Sequence, residues 1–129
     1  SQVWFVSTDV ERMPDWSTSM TKVVLEPKGS LAVGSTARIT QPKLSTATWT
    51  VTDIVPGESW TWETSASGAR TIATHTVVPR EGGLSTVTLS VRMEGATAAA
   101  VWLMAGKLVR SYVTAEAHGL KTECERRHR

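Results

Sequence analysis

The sequence predicts an α+β fold in which one antiparallel sheet packs against a long C-terminal helix. Six segments rich in Val, Ile, Thr and Trp, each bounded by Gly or Pro, predict six strands. Their short connections indicate antiparallel neighbours. The only long helical pattern follows the last strand, and two short helical segments precede the first.

The spacing of apolar residues predicts a helix at the N-terminus, and one proline limits its length. The apolar cluster from Val3 to Val6 suits a short helix over residues 1–9, and Pro14 prevents its continuation. A second short turn is predicted over residues 11–16.

The strands are assigned from alternation and turn signals. In the last strand Val87, Leu89 and Val91 alternate with polar residues, so one side is apolar and should meet the long helix. Which side of the fifth strand faces inward stays open, because apolar residues flank His75 on both faces. The predicted strands cover residues 21–26, 35–41, 46–54, 59–65, 70–78 and 85–93.

The C-terminal helix is predicted over residues 98–125. At 100° per residue, one side is apolar from Val101 to Leu120 and includes Leu108 and Tyr112. Glu116 departs from this pattern, because it projects into the middle of the apolar side, where a carboxylate needs a partner or water.

Length, composition and charge limit the kinds of protein that this chain can be. With 129 residues, 40% hydrophobic and 20% charged, the chain fits one globular domain over residues 1–129, expected to be cytoplasmic and without a membrane span. The net charge of +2 comes largely from the terminal run at residues 126–129, which is a weak basis for nucleic-acid binding, so no nucleic-acid partner is predicted. The single cysteine and three scattered histidines predict no disulfide, no metal and no cofactor.

Segments spread over nearly the whole chain carry a family resemblance. They are VW at 3–4, TDVERMPDW at 8–16, GSTAR at 34–38, QP at 41–42, WTV at 49–51, PG at 56–57, WTW at 60–62, His75, Glu116 and GLK at 119–121. Together they resemble the polyketide cyclase/dehydrase group of the START/Bet v 1-like (SRPBCC) superfamily. The resemblance implies a helix-grip fold, in which a curved sheet wraps the long helix and leaves an apolar cavity between them.

The resemblance also raises a question about the sheet edge. Family members usually carry a strand before the first helix, paired with the final strand, and that strand is absent from residues 1–129. Either residues upstream supply it, another chain does, or the sheet stays open. If the chain is complete, we expect a homodimer or larger assembly.

Two residues are candidates for acid–base chemistry. His75 in the fifth strand can act as general acid or base if it projects into the cavity, or it is an ordinary strand histidine bound to a threonine hydroxyl. Glu116 can orient or deprotonate a substrate, or it pairs with Arg38 or lies at the open end of the cavity.

The cavity wall is predicted from apolar positions on both elements. Six tryptophans against one Phe and one Tyr are an unusual balance, and three of them lie on adjacent strands where they can form a wall for flat apolar ligands or replace ordinary core residues. Trp102 is expected near the cavity mouth. The predicted lining residues are Trp49, Trp60, Trp62, Val87, Leu89, Val91, Met104, Leu108 and Tyr112.

Three functions are compatible with these residues. The first is a module that binds a hydrophobic small molecule, lipid, aromatic or polyketide-like, in the cavity. The second is a cyclase or dehydratase that uses His75, Glu116 or both. The third is a regulatory or interaction subunit. The first is preferred, because the sequence offers apolar wall residues without a recognisable catalytic motif.

Overall fold

A computed structural model describes residues 2–128 of the chain, with side chains through residue 127. Three α-helices are present, α1 (Gln2–Thr8), α2 (Met13–Trp16) and α3 (Ala98–His128), with 3-10 turns at Val10–Arg12 and Glu81–Gly83. Ser1, Arg129 and the side chain of His128 lie outside this description, and with them part of the terminal charged run at residues 126–129.

The sheet is a continuous antiparallel meander, which confirms the predicted fold class. Its strands pair in chain order from β1 to β6, so that β1 and β6 are its edges within residues 2–128. The strands are β1 (Lys22–Glu26), β2 (Thr36–Thr40), β3 (Ala47–Val55), β4 (Ser59–Ala66), β5 (Ala69–Pro79) and β6 (Ser85–Glu94).

The strand register defines an inner face that meets α3. Trp60 lies opposite His75, and His75 lies opposite Leu89, so all three side chains share this face. A register shift in β3 between Val51 and Asp53 adds one residue to that strand and changes its alternation. The inner face consists of Val23, Leu25, Ala37, Ile39, Trp49, Val51, Ile54, Trp60, Trp62, Ala73, His75, Val77, Val87, Leu89 and Val91.

The N-terminal helices close one half of this face. Val10 and Met13 are buried against strands β1 to β4 in a single apolar cluster with Trp60 and Trp62. The carboxylate of Glu11 accepts hydrogen bonds from the Leu25 backbone N–H at 3.0 Å and from Lys28 Nζ at 2.6 Å. These bonds attach the 3-10 turn to the edge strand β1.

Helix α3 is fixed at its start, middle and end. The Thr97 hydroxyl donates to the carbonyl of Ser67 at 2.6 Å, which ties the start of the helix to the β4–β5 turn. Tyr112 donates to the carbonyl of Pro42 in the β2–β3 connection. Further along, α3 packs against α1 and α2. None of the helices described over residues 2–128 has the length and apolar character needed to cross a membrane.

The last turns of α3 extend beyond the predicted end at residue 125. Glu123 is buried and accepts hydrogen bonds from Arg126 Nη2 and Arg127 Nε, both at 2.7 Å. Because the two arginines lie one turn along the helix from the carboxylate, the bonds favour continued helix through residues 126 and 127. They hold the pKa of Glu123 at about 2, below the ordinary 4.5.

Candidate functional site

The two predicted acid–base residues meet between the sheet and α3. His75 projects from the inner face of β5, and its Nε2 lies 3.1 Å from Oε2 of Glu116 on α3. The side chains are 4% and 12% exposed, so both are withdrawn from bulk solvent and Glu116 is the more open of the two. The parity of β5 that the sequence leaves open is therefore fixed, with His75 inward.

Two of the alternative partners, Arg38 for Glu116 and a threonine hydroxyl for His75, are not the partners observed. Glu116 does not pair with Arg38, which projects from β2 and lies 4.0 Å from Glu26 on the neighbouring strand β1. His75 finds its second partner in a backbone carbonyl rather than a threonine hydroxyl, because its Nδ1 lies 3.3 Å from the Trp60 oxygen.

Trp60 holds the His75 ring from one side. The imidazole and indole stack with centroids 3.7 Å apart and planes 3° apart. The indole is itself fixed, because its Nε1–H donates to the Ser7 hydroxyl at 3.0 Å and both residues are buried. A hydrogen-bonded and stacked series therefore runs from α1 through β4 and β5 to α3.

One proton is shared in the hydrogen bond between the His75 Nε2 and the Glu116 carboxyl group, on either the ring or the acid. The Trp60 carbonyl accepts a second hydrogen from Nδ1 in the tautomer that carries one there. With both hydrogens present the pair is neutral overall, and with the first alone it carries one negative charge. In neither arrangement does the hydrogen-bonded pair carry a net positive charge.

The apolar wall of the site is unevenly buried. Beneath the N-terminal helices the inner face is closed, as at Leu25 (3% exposed) and Ile39 (2% exposed). On β6, the inner residues Val87, Leu89 and Val91 are only half-buried, although Val87 and Leu89 lie opposite buried residues of β5. Apolar surface thus remains accessible between β6 and α3.

Of the three lining residues predicted on α3, two are half-buried and one is exposed. Leu108 and Tyr112 are half-buried, as are their neighbours on the apolar side of α3. Met104 is 88% exposed and lies outside the interior. Its position is about 120° around the helix from Glu116, which places it beyond the edge of the apolar side.

Two open grooves lie at the end of β6. One, of about 540 Å³, runs between the last residues of β6 and the first turns of α3 and is lined by Val91, Met93, Ala98 and Trp102. The other, of about 580 Å³, adjoins it at Glu94 and Gly95 and follows the β4–β5 turn. Since Val91 also belongs to the inner face, the first groove begins where the half-buried wall ends.

The predicted tryptophan wall is an interlocked group rather than a flat surface. Trp62 packs edge-on against Trp60, with centroids 4.8 Å apart and an angle of 82°. Trp49 is tilted against Trp62 at 5.7 Å and is half-buried. Trp60 and Trp62 are 0% and 2% exposed, so they belong to the packed core and only Trp49 retains accessible surface.

Sequence reasoning missed two contributors to the site. Ser7 is a short polar residue in an apolar helical segment, and this was its only signal. The Trp60 carbonyl gives no sequence signal, because any residue at that position provides one. Within residues 2–128, no three His, Cys, Asp or Glu side chains come together in a way that can hold a metal ion.

Comparison with solved structures identifies proteins that share this fold. The chain is similar to the di-domain ARO/CYC protein StfQ of the steffimycin biosynthetic pathway, with a TM-score of 0.72 and 11% identity over 98% of this chain and 46% of that one. It is also similar to a conserved protein from Geobacillus kaustophilus, with a TM-score of 0.67 and 15% identity over 97% of this chain and 87% of that one. At these identities the likeness shows a shared helix-grip-like fold. The chain spans about half the length of StfQ.

The sequence itself settles the family. Residues 1–125 match the family described as polyketide cyclase / dehydrase and lipid transport, and the chain belongs to it. This confirms the resemblance drawn from the motifs. No curated protein sequence matches the chain.

Proposed function

We propose that the protein binds a hydrophobic small molecule between the inner face of its sheet and helix α3. The observation that carries the proposal is the half-burial of Val87, Leu89 and Val91, opposite a helix whose Leu108 and Tyr112 are also half-buried. In a filled sheet–helix interface such residues bury their apolar surface against each other. A bound ligand would cover this surface.

The size of the adjoining groove is compatible with such a ligand. Its volume of about 540 Å³ falls within the range of small-molecule pockets. Covering apolar surface contributes roughly 25 cal/mol per Å², which makes micromolar affinity attainable without further polar contacts. The membership of a family that includes lipid transport supports the same function.

The test is a fluorescence titration with a matched pair of variants. Fatty acids, flavonoids and polycyclic aromatics are titrated while tryptophan emission is followed, since Trp102 lines the groove that adjoins the proposed site. Val91→Phe adds bulk on the inner face, whereas Ser90→Phe adds bulk on the exposed outer face of the same strand. We expect Val91→Phe to weaken binding at least about tenfold, a loss of 1.4 kcal/mol. No binding by the wild type, or equal effects of both variants, would reject the proposal.

A second candidate function is a cyclase or dehydratase, which the His75–Glu116 contact favours. An intramolecular aldol closure removes a proton from a carbon between two carbonyls, forms a carbon–carbon bond to a third carbonyl and protonates that oxygen. Loss of water then leaves a double bond. A pair that exchanges one proton between Nε2 and Oε2 can both accept and return a proton.

Cyclase or dehydratase activity can be measured separately from ligand binding. With a synthetic poly-β-ketone, ring closure and dehydration give a product with new ultraviolet absorption. Replacing His75 or Glu116 by Gln should abolish turnover while ligand affinity stays within a few fold. Turnover that survives both substitutions would exclude the pair from the chemistry.

A further inference from the structure

We infer that the ligand is an uncharged molecule whose hydroxyl or carbonyl group contacts the His75–Glu116 pair, and that the site discriminates against carboxylates. The inference rests on the proposed binding function and specifies its ligand class. It follows from the charges placed inside the fold.

No uncompensated positive charge is buried in the part of the chain that the structure describes. Every lysine and arginine in residues 2–127 is solvent-exposed except Arg127, and that guanidinium is bound to Glu123 near the end of α3. On the inner face of the sheet the one group that can become cationic is His75. Arg92, which lines the groove at the end of β6, is exposed and bound to Glu94 at 3.0 Å. A ligand carboxylate buried beside the pair would therefore need His75 as its partner.

His75 already has an acidic partner. Its Nε2 is occupied by Glu116 and its Nδ1 by the Trp60 carbonyl, so both ring nitrogens are engaged. Because the hydrogen-bonded pair carries no net positive charge in either proton arrangement, a carboxylate placed beside it would be an unpaired buried charge next to the oxygens of Glu116. Burying an unpaired charge is strongly unfavourable.

A neutral polar group on the ligand does not carry this cost of burying an unpaired charge. A hydroxyl can donate to Glu116, and a carbonyl can accept from the pair when its proton lies on the carboxyl group. Glu116 is the more accessible member, with 12% of its side chain exposed against 4% for His75. The half-buried Leu89, opposite His75 on the sheet, provides the apolar contact beside it.

The test uses pairs of probes that share an apolar skeleton and carry either a neutral hydroxyl or a carboxylate. 2-Naphthol and 2-naphthoate, and 1-decanol and decanoate, are titrated into the full chain at pH 7. We expect each neutral probe to bind at least about tenfold more tightly than its carboxylate. Carboxylates that bind equally well or better would overturn the inference while leaving the binding function intact. Failure of all four probes and of the wider ligand panel would reject both.

Two variants identify the residue responsible. Glu116→Gln frees His75 to pair with a ligand carboxylate, so naphthoate should gain at least about tenfold relative to naphthol. Glu125→Gln removes the same charge from an exposed position of α3 and should leave the ratio at the wild-type value. If the two variants give the same ratio, the ligand does not meet the pair and the inference is wrong.

Discussion

The imidazole of His75 lies flat on the indole of Trp60, with the ring centroids 3.7 Å apart and the planes within 3° of parallel. The carbonyl oxygen of the same tryptophan lies 3.3 Å from the His75 Nδ1. A single core residue thus contacts both the face of the imidazole and one of its ring nitrogens. The orientation of the candidate site consequently depends on core packing.

Replacing Ser7 by Ala should destabilise the protein by about 1–3 kcal/mol, because the buried Trp60 Nε1–H loses its partner. Chemical denaturation followed by tryptophan fluorescence measures the change. Ser90→Ala, on the exposed outer face of β6, is the control and should change stability by less than about 0.5 kcal/mol. Equal stability of Ser7→Ala and wild type would show that the hydrogen bond contributes nothing net.

Replacing Gly119 by Ala should be among the most destabilising single changes in α3. A Cβ at this position would overlap the backbone carbonyl of Trp16, so α3 and α2 would have to separate. We expect a loss of roughly 3 kcal/mol or more, despite the better helix propensity of Ala.

The matched control is Gly106→Ala in the same helix. There the atoms nearest to an added Cβ belong to the half-buried side chain of Trp102, at 3.0 Å, rather than to backbone. We expect a much smaller change in thermal stability, and similar losses for the two variants would contradict the packing argument.

The dependence of stability on pH should carry a contribution from Glu123. Hydrogen bonds from Arg126 and then Arg127 lower the pKa of this carboxyl from 4.5 to about 2 in the folded protein. A lowered folded-state pKa means that the stabilisation is complete above pH 4.5 and is lost as the pH falls towards 2.

This prediction is checked by denaturation at a series of pH values. Wild type should exceed Glu123→Gln in stability at neutral pH, with a gap that closes as the pH falls from 4.5 to about 2. Glu125→Gln should give a smaller gap, since Glu125 pairs with Lys121 at an exposed position where both side chains are more than half accessible. A gap for Glu123→Gln that is constant with pH would mean that the effect is not electrostatic.

Glu11 offers a comparison of two kinds of bond at one residue. Glu11→Gln keeps an acceptor for the Leu25 N–H but removes the charge that attracts Lys28, and should cost less than about 1 kcal/mol. Glu11→Ala removes both and should cost about 1–3 kcal/mol. Amide hydrogen exchange at Leu25 should accelerate in the Ala variant alone, and acceleration in both would assign the protection to the ion pair.

The sheet was predictable to within about one residue at each strand end, because alternation and Gly or Pro turns specify strands locally. The helix prediction ended three residues early, since the contribution of Arg126 and Arg127 depends on a buried Glu123. The shift of register in β3 gives no comparable local signal. Contacts that depend on it, such as Ile54 opposite Trp60, could not be predicted.

The candidate site was predictable in its members but not in its geometry. His75 and Glu116 stood out because each is polar within an apolar pattern. Their contact depends on how α3 is rotated and docked on the sheet, which tertiary packing decides. The same rotation explains Met104, an apolar residue at the margin of the apolar side that packing leaves in solvent.

The division of the inner face into a closed half and a half-buried half also bears on how such proteins diverge. Residues of the closed half, such as Ile39 and Trp60, carry much of the folding free energy, so substitutions there are strongly constrained. Val87, Leu89 and Val91 bury less apolar surface and tolerate exchange at lower cost to stability. In the proposed binding function, ligand preference can therefore change by substitution along one strand while the remainder of the fold keeps its packing.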